Sequence, residues 1–152
     1  MLTIGLISDT HGLLRPQALD ALRGVDFIVH AGDIGAEDIL ERLAELAPVT
    51  AVRGNNDVGG WASGLPFLSA LKLGSGQLQV VHELPHMTSQ ALMVGTRAVV
   101  YGHSHRPAIE QRGGVLYVNP GSAGPRRFKL PVTVAMLRLH GTDLQADIVP
   151  LL

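Results

Sequence analysis

Cysteine is absent from the 152 residues, which excludes a disulfide framework, a thiolate zinc site and a thiol nucleophile. Charge is scarce. Asp, Glu, Lys and Arg make up 16% of the chain, against about 25% in ordinary globular domains. The formal balance is −1, so bulk charge offers nothing to hold a nucleic acid, and such a partner is not expected. No apolar run approaches the ~20 residues that span a bilayer, and no membrane association is expected. The opening MLTIGLISDTHG lacks a basic start, a long apolar stretch and a small-residue cleavage site, so no signal peptide is read and a cytoplasmic location is expected. Repeats, linkers and low-complexity tracts are missing too. What remains is a hydrophobic share of 46% and a length that suits a single domain over residues 1–152 with its own core.

The first half alternates two kinds of segment. Thr3 to Ser8 is a short apolar run suited to a buried strand. Pro16 to Arg23 sets Ala18, Leu19 and Leu22 on one helical face, and Gly24 supplies a stop. Asp26 to His30 reads as a second strand. Glu37 to Leu46 is an amphipathic helix turning Ile39, Leu40, Leu43 and Leu46 inward, and Val49 to Val52 is a third strand. This order is that of parallel βαβ units. The second half is strand-rich: Leu71 to Leu73, Gln77 to Val81, Ala98 to Tyr101, Val115 to Val118, Val132 to Leu139 and Leu144 to Val149. Only Ser89 to Val94 reads as helical there. The pattern predicts two sheets, one mixed and one mostly antiparallel, with helices outside.

Polar clusters follow the strands. Asp9-Thr10-His11 comes after the first, Gly32-Asp33 after the second and Gly54-Asn55-Asn56-Asp57 after the third. His82 follows the Gln77 run, and Gly102-His103-Ser104-His105 follows the Ala98 run. Ligands of open α/β sheets bind beyond the carboxyl ends of strands, so these clusters are expected on one rim. Residues two apart on extended backbone point the same way, which lets Asp9 and His11 share an ion, and likewise His103 and His105. Oxygen and imidazole donors without sulfur suit Mn, Fe, Co, Ni or Zn, and a carboxylate such as Asp33 can bridge two cations. Each cluster alone has a plain reading as a capped turn, a loop or surface histidines. Their order, each after a strand, is the signal. His30 is read as packed or supporting, and His86 and His140 as surface loop residues.

Taken together, Asp9-x-His11, Gly32-Asp33, Gly54-Asn55-x-Asp57, His82 and Gly102-His103-x-His105 resemble the five blocks of the calcineurin-like metallophosphoesterases. The compact length and Asn119-Pro120-Gly121-Ser122 resemble its small bacterial and archaeal phosphodiesterase subgroup, the YfcE type. The resemblance implies an α/β fold, a four-layer α/β/β/α sandwich of two mixed β-sheets. It implies two divalent metal ions, Mn2+ first among them and Fe, Ni, Co or Zn as alternatives. Asp9, His11, Asp33 and His105 would hold one ion, and Asp33, Asn55, His82 and His103 the other. Two departures stand out. Asn56 occupies a position where most members carry histidine, and the small subgroup often cysteine. Glu83 follows His82 where glycine is common.

The expected reaction is hydrolysis of a small phosphoester, a phosphodiester first, by in-line attack of a metal-activated hydroxide. Asn56 and Asp57 are the candidate catalytic residues. Asn56 would hydrogen-bond a phosphate oxygen, and Asp57 would orient a ligand histidine or else cap its loop. Asn56 is no proton donor of the acidic kind, so aryl diesters should turn over better than alkyl phosphates. Backbone N–H groups at Gly121, Ser122 and Gly124 are expected near the rim, with Arg126 or Arg127 reaching a substrate phosphate. Two alternatives stand beside this reading: a binding or scaffold protein on the same fold, and a phosphomonoesterase or nucleotidase. Association into a homodimer or homotetramer is compatible with the low charge.

Overall fold

The computed structural model describes residues 1–152. Strands β1 (Leu2–Ile7), β2 (Phe27–His30) and β3 (Val49–Ala51) alternate with helices α1 (Pro16–Leu22) and α2 (Glu37–Ala44), and a short helix α3 (Gly60–Ser63) follows. Next come β4 (Leu68–Leu73), β5 (Gly76–Val81), β6 (Thr96–Val100), β7 (Ala108–Arg112), β8 (Val115–Asn119), β9 (Thr133–His140) and β10 (Asp143–Pro150). They form two five-stranded sheets, ordered β10-β9-β1-β2-β3 and β4-β5-β6-β8-β7.

Both sheets are mixed. In the first, β1 pairs β2 and β2 pairs β3 in parallel, while β9 joins β1 and β10 antiparallel. The second differs from the mostly antiparallel expectation. Its β5–β6 and β6–β8 pairings are parallel, and only β4 and β7 at its edges run antiparallel. The physical reason is the length of chain between the partners. The residues between β5 and β6, and the β7 detour between β6 and β8, supply the crossovers that parallel neighbours require.

Alternation along each strand separates two cores. Ile4 and Leu6 of β1 face Leu78 and Val80 of β5, Val100, and Leu137 of β9 in the layer between the sheets. Ile7 turns the other way, joining Ala18 and Leu22 of α1 and Ile39 and Leu43 of α2. Pro16 opens α1 at a position where its missing N–H costs no hydrogen bond. Glu37 and Asp38 in the first turn of α2 favour the positive end of its dipole.

The predicted helix at Ser89 to Val94 is not formed; residues 89–95 make turns. Gln79, buried on β5, donates from Nε2 to Ala91 O (3.0 Å) and accepts Met93 N–H at Oε1 (2.9 Å). Backbone groups that a helix would pair internally are thus tied to the sheet. This stretch, with a 3-10 turn at Leu84–His86, covers the outer face of β5.

Candidate metal centre

Five predicted residues sit in strained backbone. Asp9 (φ 55°), His11 (46°), Asp33 (55°), His103 (73°) and His105 (63°) all adopt the left-handed region, and Phe128 (54°) is the only other non-glycine residue that does. The extended geometry expected for Asp9-x-His11 and His103-x-His105 is therefore not what aims these side chains. Sharp turns aim them, at a cost of order 1–3 kcal/mol per residue. Backbone bonds hold the turns: Asp9 N–H to Gly32 O (3.0 Å), His11 N–H to Asp33 O (2.9 Å) and Gly12 N–H to Ile34 O (2.8 Å). They run the β1–β2 pairing on past the strand ends.

The motif glycines that precede ligands are there for closeness, most tightly at Gly54 and Gly102. A Cβ at Gly54 would collide with the backbone N of Asp33, and one at Gly102 would lie 2.6 Å from Asp9 Oδ2.

Donor atoms gather around two foci. At the first, His11 Nε2 lies 3.7 Å and His105 Nε2 3.4 Å from Asp9 Oδ1, and the two imidazole nitrogens are 3.3 Å apart. At the second, His82 Nε2 is 2.9 Å and His103 Nδ1 3.2 Å from Asn55 Oδ1. Asp33 Oδ2 lies between the foci, 3.7 Å from His11 Nε2 and 3.3 Å from His82 Nε2. His103 and His105 thus face different foci rather than sharing one, because the turn at Ser104 separates them. Two triads are close enough to hold an ion: Asp9, His11 and His105, and Asp9, Asp33 and His82.

The donor chemistry fits cations. Asp9 Oδ1 is buried and has no hydrogen-bond partner, whereas Oδ2 accepts from Ser8 Oγ (2.7 Å) and His103 N–H (3.1 Å). The free oxygen is the one facing the imidazoles. His82 Nδ1 donates to Ala31 O at 2.7 Å, which leaves its Nε2 lone pair opposite the Asn55 carbonyl. Two acceptors facing each other at 2.9 Å call for a cation between them.

Electrostatics agree. Burial alone would raise the Asp9 carboxyl, but the His105 and His11 imidazoles and the Ser8 hydroxyl outweigh it and hold it well below the usual carboxylate range. Burial would likewise raise Asp33, and His82 with the Asn56 donors lowers it. Both side chains are therefore anions. His11 is raised chiefly by Asp9. Burial lowers His82, yet Asp33 and Asp9 raise it on balance. A proton on these rings occupies the place of a cation.

The structure adds detail to three sequence expectations. Asp57 is buried, but its oxygens accept Gly35 N–H (3.0 Å) and Gly54 N–H (2.9 Å). It clamps the loops after β2 and β3 together, the capping alternative of the sequence reading, with one backbone amide on each oxygen. Asn56 points at Asp33, donating from its backbone N (2.8 Å) and from Nδ2 (3.0 Å), so its amide steadies the carboxylate between the foci. Gly121 N–H is used within its own turn by Asn119 Oδ1 (2.9 Å), so that amide is not open to a ligand.

Several supporting residues went unseen in the sequence. Ser8 and Ser122 hold the Asp9 turn, the latter through Asp9 O (2.9 Å). Asn119 Nδ2 donates to Gly102 O and to Ser104 Oγ, both at 3.2 Å. Thr10 donates to Ile34 O (2.7 Å) and meets His30 Nε2 (3.0 Å). Short polar residues beside ligands are common everywhere, so only the Asn119-Pro-Gly-Ser block left a readable trace. His86 and His140 are exposed, as expected. The largest cavity, about 610 Å³ between α2, α3 and β3, shares no residue with this centre.

Known proteins resemble the chain along its length. The calcineurin-like phosphoesterase superfamily domain matches residues 2–142. A probable metallophosphoesterase of Methanothermobacter thermautotrophicus is 34% identical over 158 residues, covering 96% of this chain and 91% of that protein. The phosphodiesterase YfcE of Escherichia coli K12 is 30% identical over 167 residues, covering 90% and 88%. Among solved structures, Vps29 of Chaetomium thermophilum aligns with a TM-score of 0.78 at 18% identity, covering 98% of this chain and 97% of that one. That likeness shows the fold alone.

Proposed function

The chain belongs to the calcineurin-like phosphoesterase superfamily, and from that premise we propose that it is a phosphodiesterase working with two divalent ions, manganese first among them. Asp9, His11, Asp33 and His105 hold one ion, and Asp33, Asn55, His82 and His103 the other. The observation that carries this reading is the position of Asp33 Oδ2, within 3.7 Å of His11 Nε2 and 3.3 Å of His82 Nε2. One carboxylate oxygen reaches both foci.

Bound there, the ions would polarise a phosphate and lower the pKa of a water toward ~7. The protein's part is to hold the donors still. Ala31 O takes the Nδ1 proton of His82 and so keeps Nε2 a ligand. Ser8 and the His103 amide occupy one oxygen of Asp9 and turn the other inward. Asn56 steadies Asp33 from outside. The substrate is a small phosphoester.

Metal titration of stripped protein, followed by hydrolysis of bis(4-nitrophenyl) phosphate and of 4-nitrophenyl phosphate, tests the proposal. Two equivalents of Mn2+ per chain and faster diester turnover are expected. Metal uptake with no turnover would favour the scaffold reading, to which the complete donor set is opposed. Faster monoester turnover would favour the phosphomonoesterase.

A further inference from the structure

The sixth strained residue is not a candidate ligand. Phe128 has φ 54° and leaves 91% of its surface in water. A bulky aromatic in the left-handed region is a rare outlier, and one left in water gives up burial as well. Two unfavourable features coincide at one residue, and strain of this kind concentrates at ligand clamps.

The loop that carries Phe128 is anchored to the metal centre. Ala123 N–H bonds Ser8 O (3.0 Å) and Ser122 Oγ bonds Asp9 O (2.9 Å). Arg15 donates from Nε (3.2 Å) and a terminal guanidinium nitrogen (3.1 Å) to Gly124 O. At the far end, Thr133 N–H returns to Ser122 O (3.0 Å). Leu130 N–H bonds Arg127 O (3.1 Å) and closes a turn with Phe128 inside it. The loop therefore has a fixed base beside Asp9 and an aromatic tip.

Its charge has one sign. Arg126, Arg127 and Lys129 lie in the loop, Arg106 directly follows His105, and no Asp or Glu occurs from Asn119 to Thr133. Arg127 directly precedes Phe128 in the chain. Arg106, Phe128, Lys129 and Leu130 line a cavity of about 560 Å³ that is open to solvent along one side.

We infer that this cavity is a substrate subsite for a nucleotide moiety, with the base stacked on Phe128 and its anionic groups met by Arg106, Arg127 and Lys129. The inference rests on the phosphodiesterase reading and narrows its substrate to a nucleotidyl phosphodiester. A flat ring uses the exposed face of Phe128, and the phosphates of a nucleotide suit a loop with three cations and no carboxylate, beside Arg106.

Calorimetric titration of the Mn2+-loaded protein with thymidine 5′-monophosphate and 2-deoxyribose 5-phosphate tests it. The nucleotide should bind on the order of tenfold more tightly, the size expected of one stacked base. Phe128→Ala should erase that preference while the sugar phosphate Kd stays within about twofold, and Phe128→Trp should keep it. Equal binding of the two ligands by the native protein would overturn the subsite, as would a Phe128→Ala variant that weakens both alike. Bis(4-nitrophenyl) phosphate turnover separates the two levels. Turnover with no nucleotide preference overturns the subsite alone. Nucleotide preference with no turnover supports the subsite and overturns the catalytic reading.

Discussion

Glu83 follows the candidate ligand His82, and its carboxylate lies 3.7 Å from His103 Nε2. The other nitrogen of that ring faces Asn55. A carboxylate behind a ligand imidazole orients the ring and strengthens it as a donor, and removing such partners costs ~10–100-fold in metal affinity. Because both side chains are partly exposed, with 33% of Glu83 and 48% of His103 open to solvent, the lower end is expected. Glu83→Gln should weaken the second Mn2+ by about tenfold or less and leave the first unchanged, read by stepwise calorimetry. An unchanged second affinity would show that the carboxylate only decorates the rim.

His30 behaves differently. It is fully buried, accepts Gly32 N–H at Nδ1 (3.1 Å) and meets Thr10 Oγ1 through Nε2 (3.0 Å). Burial pushes its pKa down to about 4, against the attraction of Asp9 and Asp57. The unfolded chain takes up this proton below pH ~6.5 and the folded one only near 4, so the stability His30 contributes is complete above 6.5 and is lost as pH falls toward 4. The gap in stability between metal-free wild type and His30→Gln should therefore narrow by up to about 3 kcal/mol across that window. Urea denaturation at pH 7 and pH 4.5 measures it, and a constant gap would contradict the neutral, buried assignment.

At this scale the gathering of the seven candidate side chains at one rim was legible, because each follows the end of a strand. Their left-handed turns were not, since Asp and His favour positive φ more than other non-glycine residues do but adopt it in only a minority of places. The contact of Asn56 with Asp33 was hidden for a related reason: the two lie 23 residues apart in sequence.

Among elements, the parallel strands position the centre. β1, β2 and β3 deliver Asp9, Asp33 and Asn55 from one sheet, while β5 and β6 deliver His82 and the His103–His105 turn from the other. Gly102 sits where the two sheets' rims touch. In Gly102→Ala the new methyl would press on Asp9 Oδ2 and the Ser8 hydroxyl and break the bond between them. Such overpacking costs about 1–3 kcal/mol, so Tm should fall by several degrees, with weaker binding of the first Mn2+. Calorimetry with and without metal reads both, and an unaltered Tm would mean the rims are not in contact. The βαβ half was readable because amphipathic helices and buried strands carry distinct periods. β7 was not. Its Glu110, Gln111 and Arg112 are exposed on a sheet edge, with no apolar alternation to betray them. The turns of residues 89–95 were hidden because Gln79, a buried polar residue on another element, decides their pairing.

For the whole molecule, the layer between the sheets registers the two halves of the centre. Ile4 and Leu6 pack with Leu78, Val80 and Val100 across that layer, so donors from different sheets meet without a mobile part. No helix is long and apolar enough to cross a membrane. Asp9 and Asp33 are the buried anions among the candidate ligands. The central claim concerns a pair of ions sharing one carboxylate. Anomalous diffraction at the manganese edge from crystals grown with Mn2+ tests it most directly. The dinuclear reading predicts two peaks roughly 3.5–4 Å apart, one among Asp9, His11 and His105 and the other among Asn55, His82 and His103, both in contact with Asp33. A single peak, or two peaks with Asp33 touching only one, would contradict it.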